Sequence, residues 1–333
     1  MRKTRPHPAK PTTQKTLDIG IHMPTTANYP KLEPVRNLLV CLDLTAIDTY
    51  LIAYAAFMAR MLPASKVIFF HAIQAYDLPD RGNRSFPDIE TELNAIIRDE
   101  MHNSVDSHFE ENCEWAVATQ VGYEDASREI IEYINAHEID ITLIGQKYGE
   151  NREARYSHKI AAEATSDLLF VPQYAEKSID PILCAIDFSP QSVRAFERTL
   201  DLSRAWGIQM NCYFVCDPTR AYFPATTEKS ASHYQHQAQK AYEQFLKDYE
   251  LSPADIPCRI ETGHELTSEA ENIYQAAIED NARLIVIGAQ GDTANVTSLL
   301  GNLAESFRLM EKEIPVMVLK NPPRKKFPWF WKS

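Results

Sequence analysis

The sequence predicts an α/β protein built from two tandem, doubly wound parallel-sheet domains of five strands each. Three observations carry this. Short continuous apolar runs, such as Leu38-Leu39-Val40-Cys41-Leu42, alternate with longer helical stretches. Strands buried on both faces of a parallel sheet read as such runs rather than as polar–apolar alternation. The whole order then recurs with a period near 143 residues. Lastly, a glycine-bearing loop follows the fourth run of each copy, at Gly145 and at Gly288. Doubly wound sheets hold their ligands at the carboxyl ends of strands.

The repeat is read residue against residue. Leu38–Thr45 matches Ile182–Ser189, each an apolar run ending in Asp, an apolar residue and a hydroxyl residue. Val67–Ile73 matches Met210–Cys216, Val121-Gly122 matches Thr262-Gly263, and Ile139–Gly145 matches Ala282–Gly288. The domains are expected at 34–175 and 180–320, joined by a short linker at Gln173–Ser178.

Each element has a local reason. Strand one is expected at 37–43 and 181–187. Thr45, with Asp48 three residues on, reads as a capping box opening a helix that runs to about Met61. In the second copy Ser189 caps, Pro190 takes the first helical position, and Gly207 stops the helix in the left-handed region. Strand two follows, then long polar helices at 88–112 and 228–250. Strand three is expected at 115–121 and 257–262, a helix at 126–137 and 267–280, and strand four at 139–144 and 283–287. A last helix and a strand at 167–171 or 315–319 close each unit.

Charge is unevenly placed. The chain carries −12 overall, with +4 in residues 1–33, +4 in residues 321–333, and therefore −20 between them. An acidic body lacks the basic footprint of nucleic-acid binding. Residues 1–33 are rich in Pro, Thr and Lys without apolar period and read as a disordered arm. The six cysteines contain no C-x2-C pair, which argues against a zinc ribbon and for reduced thiols in a cytoplasmic protein. Neither a secretory signal nor a membrane span is legible.

Gly288, Gly291 and Gly301 form G-x2-G-x9-G directly after Leu284-Ile285-Val286-Ile287, three of only ten glycines. A strand, a glycine loop and a helix start present backbone N–H groups and a positive helix end to an anion. The first copy departs from this. Gly145 and Gly149 are one residue further apart, and Tyr156 falls near the third glycine's place. A nucleotide cradle is therefore not expected there, although Lys147, Arg152, Arg155 and Lys159 make that loop basic.

Two copies of about 140 residues, an Asp after strand one and G-x2-G-x9-G after strand four resemble the tandem universal stress proteins, whose fold is adenine nucleotide alpha hydrolase-like. The resemblance covers residues 34–320. It implies ATP, with Mg²⁺ accompanying it, bound in domain two by Asp187, Val215, Gly288, Gly291, Gly301 and Asn302. Asn302 stands where the family motif has a hydroxyl, and its amide can still hydrogen-bond phosphate. The resemblance also implies that the last strands pair the domains into an intrachain pseudo-dimer, leaving a further homodimer open, and that the role is regulation of a stress response with an unknown protein partner.

The remaining features are weighed singly. His71 and His158 could face the first crevice, and His233 and His236 share a helix face; core or solvated histidines are the commoner outcome. Asp43 and Asp187 can equally serve as helix-entry residues binding local backbone. The tail Arg324-Lys325-Lys326-Phe327-Pro328-Trp329-Phe330-Trp331-Lys332 suits a weak membrane or partner contact, or folds back on the body. No catalytic signature is present, so an enzyme is not expected. Weak ATP hydrolysis and a nucleotide-independent binding scaffold stay open.

Overall fold

The computed structural model describes residues 35–74, 87–122, 126–146, 159–161, 163–216, 227–262, 269–289 and 314–320. The expected N-terminal arm, Gly291, Gly301, Asn302, Tyr156, His158 and the C-terminal tail lie outside them, as does the side chain of His233, whereas His236 is exposed.

The first half contains β1 (Asn37–Cys41), α1 (Asp48–Met61), β2 (Lys66–Gln74), α2 (Pro87–His108), β3 (Glu114–Gly122), α3 (Ala126–Ala136), β4 (Ile141–Gln146) and β5 (Asp167–Pro172). The second contains β6 (Ile182–Ala185), α4 (Pro190–Trp206), β7 (Met210–Cys216), α5 (Thr227–Lys247), β8 (Cys258–Thr262), α6 (Glu269–Glu279), β9 (Leu284–Gly288) and β10 (Val316–Leu319). Within each half every strand pairing is parallel, and the two five-strand orders are mirror images, β3-β2-β1-β4-β5 and β10-β9-β6-β7-β8.

The halves share one sheet. β5 and β10 pair antiparallel, Phe170 against Val316 and Leu168 against Val318, to give ten continuous strands. Successive strand residues feed opposite cores. Leu38, Val40, Leu169, Cys184 and Met317 belong to one, while Leu39, Leu168, Phe170, Leu183 and Val318 belong to the other. Both cores run through both halves. That is why the strands are apolar throughout, and β5 is buried at all six positions.

Polar contacts cross the same seam. Arg194 of α4 donates to the Asp167 carboxylate of β5 at 2.6 Å, and the Lys320 N–H donates to its other oxygen at 2.8 Å. Lys320 Nζ donates to the Ala164 carbonyl at 2.6 Å. Burial holds that ammonium down, to about 8. At the far end of the helices, Trp206 Nε1 donates to the Met61 carbonyl at 3.0 Å.

Helix entry separates the two copies. α4 begins as its sequence dictates: the Ser189 hydroxyl accepts the Ser192 N–H, Pro190 follows, and Gly207 ends the helix at φ 67°. The capping box expected at Thr45 does not form. α1 starts at Asp48 behind Ile47, with no side-chain cap. The reason is a competing set of bonds. Asp43 takes the Thr45 hydroxyl at 2.6 Å, and the Asp48 carboxylate takes the Leu44 N–H at 2.8 Å.

Candidate functional site

In the second half the strand order reverses between β6 and β9, and a crevice opens where such a sheet places one. Its walls are the ends of β6, β7 and β9, the first turn of α4 and the start of α6. Ile186, Val215, Ile273 and Ile287 supply apolar surface, and Asp187 and Glu269 supply carboxylates.

The turn after β6 builds one wall. Phe188 sits at φ 62°, and its counterpart Leu44 in the first half at φ 60°. A left-handed non-glycine residue costs on the order of 1 kcal/mol, and local bonds hold it there. The Asp187 N–H donates to Ser192 Oγ at 3.2 Å, and Asp187 Oδ1 accepts the Ser189 N–H at 2.9 Å. Phe188 itself is buried against the rings of Phe214 and Phe245, with centroids 5.5 and 5.7 Å away. Asp187 thus serves both as a helix-entry residue and as crevice lining.

Gly288 closes the back of the crevice. A Cβ built on it would overlap the backbone of Gln191 and Ser192. The end of β9 therefore lies directly on the first turn of α4, a contact only glycine permits. On sequence grounds the glycine was expected to let a ligand approach; in the fold it lets a helix approach, and the ligand surface forms beside that contact.

Sequence reasoning passed over Ser192, Tyr213, Glu269 and Ile273 as lining residues. Ser192 had a signal, since it lies three residues after the Ser189 cap. Glu269 and Ile273 had none, because α6 reaches the crevice only by packing over the sheet. The Tyr213 hydroxyl donates to Glu261 at 2.9 Å, and burial together with that carboxylate raises its phenol pKa. No basic residue stands among the described lining residues, and the nearby Arg259 is held by Glu279 and Asp280.

The corresponding place in the first half is built differently. Asp48 takes the position of Ser192, and Ile47 that of Gln191. A Cβ on Gly145 would meet only the Ile47 and Leu51 side chains, at 3.3 and 3.5 Å. Burial, then the charge of Asp43, pushes the Asp48 carboxyl up to about 7. Burial and the Asp48 charge also push the Cys41 thiol up to about 12, which makes it a poor nucleophile. His71 is not poised for acid–base work on its Nδ1 side, which lies 2.9 Å from the Leu42 carbonyl oxygen. Among the described residues no cluster fits a metal ion.

A pH dependence follows. Asp48 keeps its proton in the fold up to about pH 7, whereas an unfolded Asp loses it near 4. Stability is therefore fullest below about pH 4 as far as this group is concerned, and falls by roughly 2–4 kcal/mol as pH rises from about 4 to 7. Asp48→Asn is expected to remove that slope and to raise the urea midpoint at pH 8. An unchanged slope between pH 4.5 and 7.5 would show that Asp48 does not titrate as described.

Comparison with known proteins adds what the chain is similar to. The model of the "Universal stress protein family" matches residues 178–320. No curated protein matches the chain. Among solved structures, a universal stress protein of Archaeoglobus fulgidus is similar over 88% of this chain and 98% of its own, with 14% identity and a TM-score of 0.61. A functionally unknown protein of Pseudomonas aeruginosa is similar over 86% of this chain and 93% of its own, with 13% identity and a TM-score of 0.56. These two likenesses establish the fold of the whole body. Among the described residues no helix is long and apolar enough to cross a membrane.

Proposed function

We propose, from the match of residues 178–320 to the universal stress protein family, that this chain is a cytoplasmic stress-response regulator that binds ATP in its second domain. The observation that carries this reading is the crevice at the β6/β9 switch point, lined by Asp187, Val215 and Gly288. The remaining candidate residues, Gly291, Gly301 and Asn302, follow Gly288 in sequence with the phosphate-loop spacing.

The division of labour follows from the lining. Ile186, Val215 and Ile273 offer an apolar slot for a base, and Asp187 keeps one oxygen for a sugar hydroxyl while the other holds the Ser189 N–H. The described walls carry no cation to neutralise phosphates. That task falls to the backbone N–H groups of the glycine loop and to Mg²⁺ travelling with the nucleotide. The first domain acts as a non-binding partner, because Ile47 packs its side chain against Gly145 at the back of the corresponding place and Asp48 adds buried carboxylate. The chain is no enzyme in this reading, and any hydrolysis is slow and incidental. ATP acts as a switch by favouring one loop state, which a protein partner reads by differential affinity.

Titration calorimetry of ATP with Mg²⁺ tests this. Wild type is expected to bind with one site per chain, and Gly301→Tyr to lose binding at least tenfold. Absence of heat in wild type rejects the nucleotide, and two sites per chain reject the silent first domain.

A further inference from the structure

We infer that the basic, aromatic segment after Lys320 is the resident occupant of the second-domain crevice, which it shares competitively with nucleotide. This deepens the reading above and rests on it for the competition, though not for the docking itself.

The exit point comes first. β10 runs parallel to β9, with Leu319 opposite Gly288, and the Ala289 N–H donates to the Leu319 carbonyl at 2.8 Å. Gly288 lines the crevice. The chain beyond Lys320 therefore starts one strand away from the crevice wall that Gly288 forms. The nine residues from Asn321 to Trp329 extend up to about 30 Å, so reach is no obstacle.

The chemistry fits as well. The crevice joins apolar walls to the Asp187 and Glu269 carboxylates and has no basic group among its described lining. Residues 324–332 supply four cations, no acid, and Trp329 and Trp331. The apolar walls of Ile186, Val215, Ile273 and Ile287 offer surface to an indole as to a purine. Tethering supplies the rest. A short linker holds an attached group at an effective concentration of about a millimolar, enough to make a weak indole contact compete. Such a segment is expected to weaken apparent ATP affinity about tenfold, because nucleotide meets only the fraction of crevices that are open.

The test uses the full chain labelled with 5-fluorotryptophan. It gives four ¹⁹F resonances, and the two tail signals are assigned with Trp329→Phe and Trp331→Phe. At least one tail fluorine is expected to be shielded from solvent. Glu269→Lys, at an exposed rim position, and Val215→Arg, on the wall, should each return it to the solvent-exposed position, and Mg²⁺-ATP should do the same. Trp329→Ala/Trp331→Ala should then tighten ATP binding about tenfold. Tail fluorines exposed in wild type overturn the proposal. So do shielded fluorines that neither crevice variant moves, shielding that fades on dilution and so marks a second copy, and an ATP affinity that the double variant leaves unchanged. If the tail responds to the crevice variants but ATP binds no form of the protein, docking stands and the nucleotide reading fails.

Discussion

Asp167→Ala should lower stability by roughly 3–5 kcal/mol, the usual cost of removing one partner from a buried ion pair. The Asp167 side chain is 6% exposed and Arg194 is 18% exposed. One carboxylate oxygen takes the Arg194 guanidinium and the other the Lys320 N–H. Deleting it leaves a buried cation facing the seam and a backbone donor without its acceptor. Burial already holds the Lys320 ammonium down to about 8, and only Asp167 opposes that shift, so the variant should lower the Lys320 pKa further. Asp167→Asn keeps an acceptor for Lys320 and should lose less. Urea denaturation followed by circular dichroism checks this. Because both cores run through both halves, a single transition is expected to move as a whole. A loss under about 1 kcal/mol would mean that water replaces the carboxylate without penalty and that the apolar seam alone joins the domains.

Gly288→Ala should be costly, whereas Gly145→Ala, its counterpart in the first domain, should be nearly silent. At Gly288 the new methyl would overlap main-chain atoms of Gln191 and Ser192. Backbone at a helix start cannot swing aside like a side chain, so α4 or β9 must shift. Overpacking of this kind costs about 1–3 kcal/mol or more. It also opens the crevice wall, so ATP binding should weaken together with stability. At Gly145 the nearest atom is the end of the Ile47 side chain, at 3.3 Å, which a small rotation relieves. The pair is its own control: same residue, same strand position, different neighbour. Equal denaturation midpoints for the two variants would refute the close approach of β9 to α4.

Local chemistry was legible wherever the deciding atoms are neighbours in the chain. Ser189, Pro190 and Gly207 mark α4 within three residues of each boundary, and the structure places them so. Thr45 shows the limit. Its hydroxyl has the right spacing for a cap, yet it donates to the Asp43 carboxylate two residues back and accepts no helix N–H. A hydrogen bond to a charged carboxylate is a strong one and fixes the direction of the side chain, and the helix starts later. Gly288 was legible as important but not for its nearest reason, because Gln191 lies almost a hundred residues away. Glu269 and Ile273 could not be found at all. Their role depends on how α6 lies across the sheet, and helix packing angles are set by side chains of both partners.

The sequence by itself determined the repeat, the alternation of strands and helices, and the asymmetry between an intact and a degenerate glycine loop. These rest on periodicity and composition, which act over a few residues and survive wherever the chain goes. The resemblance already implied that the last strands join the halves, as β5 and β10 do; tertiary structure alone decided which charges meet at that seam and what shapes the crevice. Arg194 and Lys320 meet Asp167 across separations of 27 and 153 residues, and no local pattern announces such a meeting. Their pairing follows from the antiparallel contact of β5 and β10. That contact buries two sheet edges at once and brings to one seam charges that the linear order keeps apart.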